Sequence, residues 1–89
     1  MLSKEDTKKI CTISKKYNVK RVLLFGSSID PNSEARDIDL AVEGINGRDF
    51  FSYYSELYFG LSKPVDLVDL KNKNKFADLV RIEGLVIYG

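Results

Sequence analysis

Val22-Leu23-Leu24-Phe25-Gly26-Ser27 and, after a short spacer, Asp37-Ile38-Asp39-Leu40-Ala41-Val42 decide how this chain is read. The first run is uninterruptedly apolar, as expected of a strand covered on both faces, and it ends in a glycine turn. The second run alternates. Ile38, Leu40 and Val42 face one way; Asp37, Asp39 and Ala41 face the other. Carboxylates two residues apart on a strand start about 6.5–7 Å apart, a span that one hard cation can bridge. The glycine turn before them can offer backbone N–H groups to an anion. Acids on a central strand are costly unless they meet metal, hydrogen-bond donors or water. A divalent cation and a phosphate chain suit this pattern. The residues alone also allow solvent-facing acids at a sheet edge, or ion pairs with Lys20, Arg21 or Arg36.

Composition narrows the chemistry. Eighty-nine residues make one domain, residues 1–89, with a modest core. Histidine is absent, which excludes imidazole zinc sites, Ser-His-Asp triads and Cys-His pairs. Acid–base or metal chemistry must rest on carboxylates. Cys11 is the single cysteine, so no internal disulfide forms, and a reducing, cytoplasmic setting is expected. The longest apolar runs are four residues, too short to span a membrane, and the first residues lack the apolar stretch of a secretory signal. Charge is segregated: +5 over residues 1–21, −6 over 22–70 and +2 over 71–89. The acidic middle holds the proposed metal site. The lysine-rich ends read mainly as solvated helix faces.

The remaining chain supplies the frame. Ser3 is a helix cap, with Asp6 three residues on to reach back to it, and Ile10, Ile13 and Tyr17 follow at helical spacing. Asn18 is a left-handed stop. Strands are predicted over 20–25, 37–42, 64–70 and 85–88, and Asp30-Pro31-Asn32-Ser33 reads as a turn. Asn46 caps a helix running through Phe50, Tyr54 and Leu57 to Gly60. Asn72 or Asn74 caps a last helix with Phe76, Leu79, Val80 and Glu83 as its stripe, ending at Gly84. Six of the ten aromatic residues fall at 50–59, more rings than one inward stripe can bury, which signals an interface. The sum is a small α/β domain with a mixed sheet and helices on one side. Asp66, on the third strand, adds a third carboxylate to Asp37 and Asp39. Two-metal phosphoryl transfer wants such a set, with one member able to accept the proton of an attacking hydroxyl.

Gly26-Ser27 followed by Asp37-Ile38-Asp39-Leu40 resembles the signature of the DNA polymerase beta-like nucleotidyltransferase superfamily. Leu24-Phe25, Val65-Asp66-Leu67-Val68 and the ending Glu83-Gly84-Leu85-Val86-Ile87-Tyr88 resemble its minimal prokaryotic members, the MNT proteins, over essentially the whole chain. The resemblance implies a polymerase beta palm-like fold and transfer of a nucleoside monophosphate from ATP or another NTP, with pyrophosphate leaving. It implies that Asp37, Asp39 and Asp66 are the catalytic acids and bind magnesium, two ions in all, with Asp66 needed mainly to activate the acceptor. Gly26 and Ser27 would hold the terminal phosphates. Many minimal members act as antitoxins beside a small helical HEPN protein and attach AMP to one of its tyrosines.

Two departures stand out. The family usually continues Gly-Ser with an arginine-containing turn; here Ser28-Ile29-Asp30-Pro31 follows, without a basic side chain. Arg36 stands where serine or threonine is common. It can replace the lost charge toward the nucleotide, or pair with Asp37. The alternative function is therefore a catalytically degenerate antitoxin that binds its partner through the aromatic helix at 50–59. A nucleic-acid-binding module is disfavoured, because the acidic centre interrupts any basic track. The expectation is a single domain, with no second one to hold a large acceptor, and a homodimer through the final edge strand.

Overall fold

A computed structural model of the chain describes residues 2–30, 32 and 36–89. Helix α1 (Lys4–Lys16) leads into strand β1 (Arg21–Leu24), and a 3-10 turn at Gly26–Ile29 follows. Next come β2 (Ile38–Glu43), α2 (Phe50–Gly60), β3 (Val65–Asp69), α3 (Lys75–Glu83) and β4 (Leu85–Tyr88). The strands form one mixed sheet in the order β3-β2-β1-β4. β1 runs antiparallel to both β2 and β4, while β2 and β3 are parallel, with α2 as their crossover. The predicted strands hold, with ends shifted by one residue at most. Asp37 falls just before β2 instead of inside it.

The alternation in β2 sorts two cores. Val22, Leu24, Ile38, Leu40, Val42, Val65 and Leu67 pack with Ile10, Tyr53 and Leu57 from α1 and α2. Leu23, Ala41 and Leu70 pack on the other face with Ala77 and Val80 of α3. Helices therefore cover both faces, which corrects the expectation of helices on one side. The reason is topological. β3 and β4 lie at opposite edges, so the chain between them must cross the sheet, and α2 already occupies the first face. Arg81 fixes that crossing: its guanidinium donates to the Leu70 carbonyl at 2.7 Å and to the Glu43 carboxylate at 3.2 Å.

Local signals explain the ends. Ser3 caps α1 by accepting the Asp6 N–H at 3.1 Å. Asp6 does not return the bond, contrary to the predicted reciprocal cap. Its carboxylate is buried and accepts from the Ser62 N–H at 3.1 Å and from the Ser62 hydroxyl. The tertiary contact satisfies two donors of the loop before β3, a better use of a buried charge than a solvent-facing cap. Asn18 takes the left-handed conformation at φ 54°, and Asn74, not Asn72, caps α3 through the Ala77 N–H. Asn46 accepts from Arg48 N–H and opens a 3-10 turn ahead of α2. Between α1 and α2 the only buried hydroxyl pair of the first core is Ser14 and Tyr53, 2.7 Å apart among the described residues. Burial pushes the Tyr53 phenol up to about 12, against the opposing pull of the Ser14 hydrogen bond. In α3 the stripe is narrower than predicted. Ala77 and Val80 are buried, whereas Phe76 and Leu79 are half exposed.

Candidate active site

β2 and β3 pair in a register that sets Asp39 directly beside Asp66. Adjacent strands lie about 4.8 Å apart and directly paired residues share a face, so the two carboxylates leave the sheet side by side. Ala41 and Leu70 place that face under α3, whose N-terminal end is the nearer to β3 in the chain. Asp37 precedes the strand and is exposed; Asp66 is exposed as well, and Asp39 is partly buried. Burial pushes the Asp39 carboxyl above its ordinary value, and the neighbouring Asp66 charge adds to the rise. The Ser28 hydrogen bond opposes it, and Asp37 contributes a smaller increase. All three acids thus share one electrostatic field.

The glycine turn closes against this pair. Gly26 has φ +65°, a conformation that side chains disfavour, and a Cβ there would stand 2.9 Å from Asp39 Oδ2. Phe25 N–H donates to the Asp39 carbonyl at 3.0 Å, so the turn starts from β2 itself. Gly26 and Ser27 are both exposed beside the acids, where their backbone can meet a ligand. Arg36 is also exposed and makes no ion pair with Asp37 among the described residues. The turn predicted over Asp30-Pro31-Asn32-Ser33 lies partly outside the described residues, at Pro31 and Ser33. Within it, Asn32 N–H donates to the Asp30 carboxylate at 2.9 Å.

Sequence reading missed Ser28. Its buried hydroxyl accepts the Asp39 N–H at 3.0 Å and lies 3.2 Å from the Asp37 carbonyl and 3.5 Å from Asp39 Oδ2. One side chain therefore latches the turn to the backbone of both acids. The only prior signal was a second small hydroxyl residue after Ser27, where the family has an arginine-containing turn. Ser28→Ala leaves a buried amide without its acceptor, a loss of about 1–3 kcal/mol. Thermal unfolding is expected to show that loss. Ser28→Thr, which keeps the hydroxyl, is expected to recover most of it.

Magnesium is the cation to which such carboxylate donors are suited. Among the described residues, no three ligating side chains are arranged to hold an ion unaided. The donor set still fits. Magnesium usually takes one or two carboxylates together with substrate phosphates and water, and Asp39 beside Asp66 is such a pair. Burial and, after it, the Asp66 charge disfavour the ionised Asp39, and a cation offsets both. A cleft of about 210 Å³ opens beside Asp37 and Ser28, walled by Asp6, Ile38 and Ser62. That volume is below the roughly 300–1,000 Å³ of ordinary ligand pockets. Asp39, Asp66 and Gly26 do not line it, so of the three acids only Asp37 borders this cleft.

Known proteins share this architecture. No curated protein sequence matches the chain. Among solved structures, the toxin–antitoxin complex MntA–HepT contains a chain with 24% identity and a TM-score of 0.71, over 98% of this chain and 73% of that one. A toxin–antitoxin structure with AMP-PNP matches at 24% identity and TM-score 0.75, over 93% and 73%. A tri-AMPylated Shewanella oneidensis HEPN toxin in complex with MNT antitoxin matches at 23% identity and TM-score 0.70, over 94% and 70%. At these identities the likeness is one of fold. The family profile described as polymerase beta, nucleotidyltransferase matches residues 8–89, and this chain belongs to that family.

Proposed function

We propose that this chain is a magnesium-dependent nucleotidyltransferase of the MNT antitoxin kind. It moves AMP from ATP to a hydroxyl, namely a tyrosine of a HEPN-type partner. The observation that carries the reading is the direct pairing of Asp39 with Asp66 against a left-handed Gly26. The structures of similar fold support the choice of ligand and partner: one holds AMP-PNP, and one is a complex with an AMPylated HEPN toxin.

The chain's residues divide the work. Asp37, Asp39 and Asp66 hold magnesium, which when bound neutralises phosphate charge and polarises the reacting phosphorus. Backbone N–H groups at Gly26 and Ser27, with the Ser27 hydroxyl, hold the terminal phosphates, and Arg36 adds positive charge from the other end of the spacer. Asp66 takes the proton of the acceptor hydroxyl. The acceptor oxygen forms its bond to the α-phosphorus as the bond to the β-phosphate bridge breaks, and pyrophosphate leaves with the electron pair. Positioning and electrostatics supply the rate. A cytoplasmic setting, where ATP and the partner would be met, goes with this reading.

One observation favours a second reading. No basic side chain lies in the turn from Gly26 to Asp30, and Asp30 brings negative charge. A subunit that neutralises its partner by binding alone is consistent with that. Calorimetry of ATP with magnesium, run beside an Asp37→Ala/Asp39→Ala double variant, separates the two. Magnesium-dependent binding that disappears in the double variant supports the enzyme. A folded parent that binds no nucleotide, alone or with its partner, leaves the binding subunit.

A further inference from the structure

Ser28 stands in for a missing rung of the sheet. The Phe25 N–H meets the Asp39 carbonyl, and the chain then turns away at Gly26. The next groups of β2 on that side are the Asp39 N–H and the Asp37 carbonyl, and β1 no longer runs beside them. A neighbouring strand would supply a donor and an acceptor there. The buried Ser28 hydroxyl supplies both from one atom: it accepts the Asp39 N–H at 3.0 Å and donates toward the Asp37 carbonyl at 3.2 Å. Asp37 gains most from this. Pairing of β2 with β3 starts at Ile38 and Val65, so the ladder does not hold the exposed residue before it. The side chain of Asp39 is oriented from the same turn. Its Oδ2 lies 3.5 Å from the Ser28 hydroxyl and is the atom nearest to the space that a Cβ on Gly26 would fill. Both contacts are to one oxygen, so the carboxylate has one defined orientation.

We propose that Ser28 is a positioning residue that makes the acid site selective for magnesium over calcium; this rests on the reading of Asp37, Asp39 and Asp66 as cation ligands. Both cations are hard and take carboxylate oxygens, but they differ in the irregularity they tolerate. Magnesium demands near-ideal geometry from few protein ligands. Calcium accepts more oxygens in adjustable arrangements. Ligands held in one orientation therefore favour magnesium, and ligands free to swing remove that advantage. Ser28 touches neither cation nor substrate in this scheme. It acts through the backbone of two acids and one carboxylate oxygen, as groups behind metal ligands commonly do. A residue that only stabilised the fold would affect both cations alike.

Calorimetry of ATP binding to the whole chain, run once in saturating magnesium and once in saturating calcium, tests this. The two cations carry the same charge, so a general weakening of the fold cancels in the ratio of the two dissociation constants. The parent is expected to bind ATP more tightly in magnesium. Ser28→Ala is expected to reduce that preference about tenfold, through weaker binding in magnesium. Ser28→Thr, which keeps the hydroxyl, is expected to restore it. If the alanine variant does not fold, Ser28→Cys, with a similar shape and a weak hydrogen-bonding group, is expected to show the same loss of preference. Ser14→Ala is the control. It removes a buried hydroxyl from the core, 2.7 Å from that of Tyr53, and should lower the melting temperature without changing the ratio. A Ser28→Ala variant that melts lower but keeps the parental ratio overturns the proposal alone and leaves Ser28 a structural residue. A parent that binds ATP equally in both cations also overturns it. A parent that binds no ATP in either cation overturns the reading of the site as well.

Discussion

Asp39→Ala is expected to abolish magnesium-dependent ATP binding and to lower nucleotidyl transfer by about 10³-fold or more. Asp39 is the carboxylate on which the glycine turn, Ser28 and Asp66 converge. It pairs with Asp66 across the strands, its backbone is latched by Ser28, and its side chain faces Gly26. Asp39→Asn tests the same residue from the stability side. The folded state raises the Asp39 carboxyl above its ordinary value. Between those two values the folded protein binds more protons than the unfolded chain, so stability falls as pH rises through that window. At neutral pH without metal the full cost is present. Removing the charge is therefore expected to raise stability by about 0.5 kcal/mol, the scale of a screened charge contact, while nucleotide binding is lost. Melting curves in a chelator and calorimetry with ATP and magnesium read the two effects. A variant with parental ATP affinity would remove Asp39 from the site. A variant that melts no higher would show that the partly buried Asp39 charge carries no net cost in the fold.

The alternation of Ile38, Leu40 and Val42 against Asp39 and Ala41 was legible because period two is a backbone property, and the structure sorts these residues into two cores as the pattern requires. The pairing of Asp39 with Asp66 was half legible. The sequence places both on strands, but register depends on how α2 and its flanking turns close the crossover, which no local signal states. The position of α3 was not legible at all. Its apolar stripe is readable, but a stripe does not say which face of the sheet it meets, and only the strand order forces it across the second face. Asp6 and Ser28 were misread or missed for one reason. Both are small polar residues whose partners lie far along the chain and are fixed by tertiary packing, which no local pattern states. The surface rings of α2 were foreseen by counting, since Tyr53 and Leu57 fill the single inward stripe.

Gly26→Ala is expected to separate folding from chemistry at the turn. Its φ of +65° lies in the left-handed region, where a Cβ costs about 1–2 kcal/mol. A domain of this size tolerates such a loss and stays folded at room temperature. The function is hit harder. The new Cβ would lie 2.9 Å from Asp39 Oδ2 and 3.5 Å from its Cγ. The nearest atom is the end of a rotatable side chain, so the carboxylate turns aside and the sheet does not move. In the proposed mechanism Asp39 ligates the metal and the turn meets phosphate, so displacing the carboxylate by a fraction of an ångström is expected to cost about 10²-fold in ATP·Mg binding or transfer. Gly47→Ala is the matched control. Gly47 is exposed, has no atom within 4 Å of an added Cβ and lies outside the left-handed region, so its variant should match the parent within about 0.5 kcal/mol and bind ATP equally. If Gly26→Ala loses stability but keeps its nucleotide affinity, the turn serves only to reverse the chain. If both properties fall while Gly47→Ala is silent, the glycine is there because a carboxylate and a phosphate both need the space its side chain would fill.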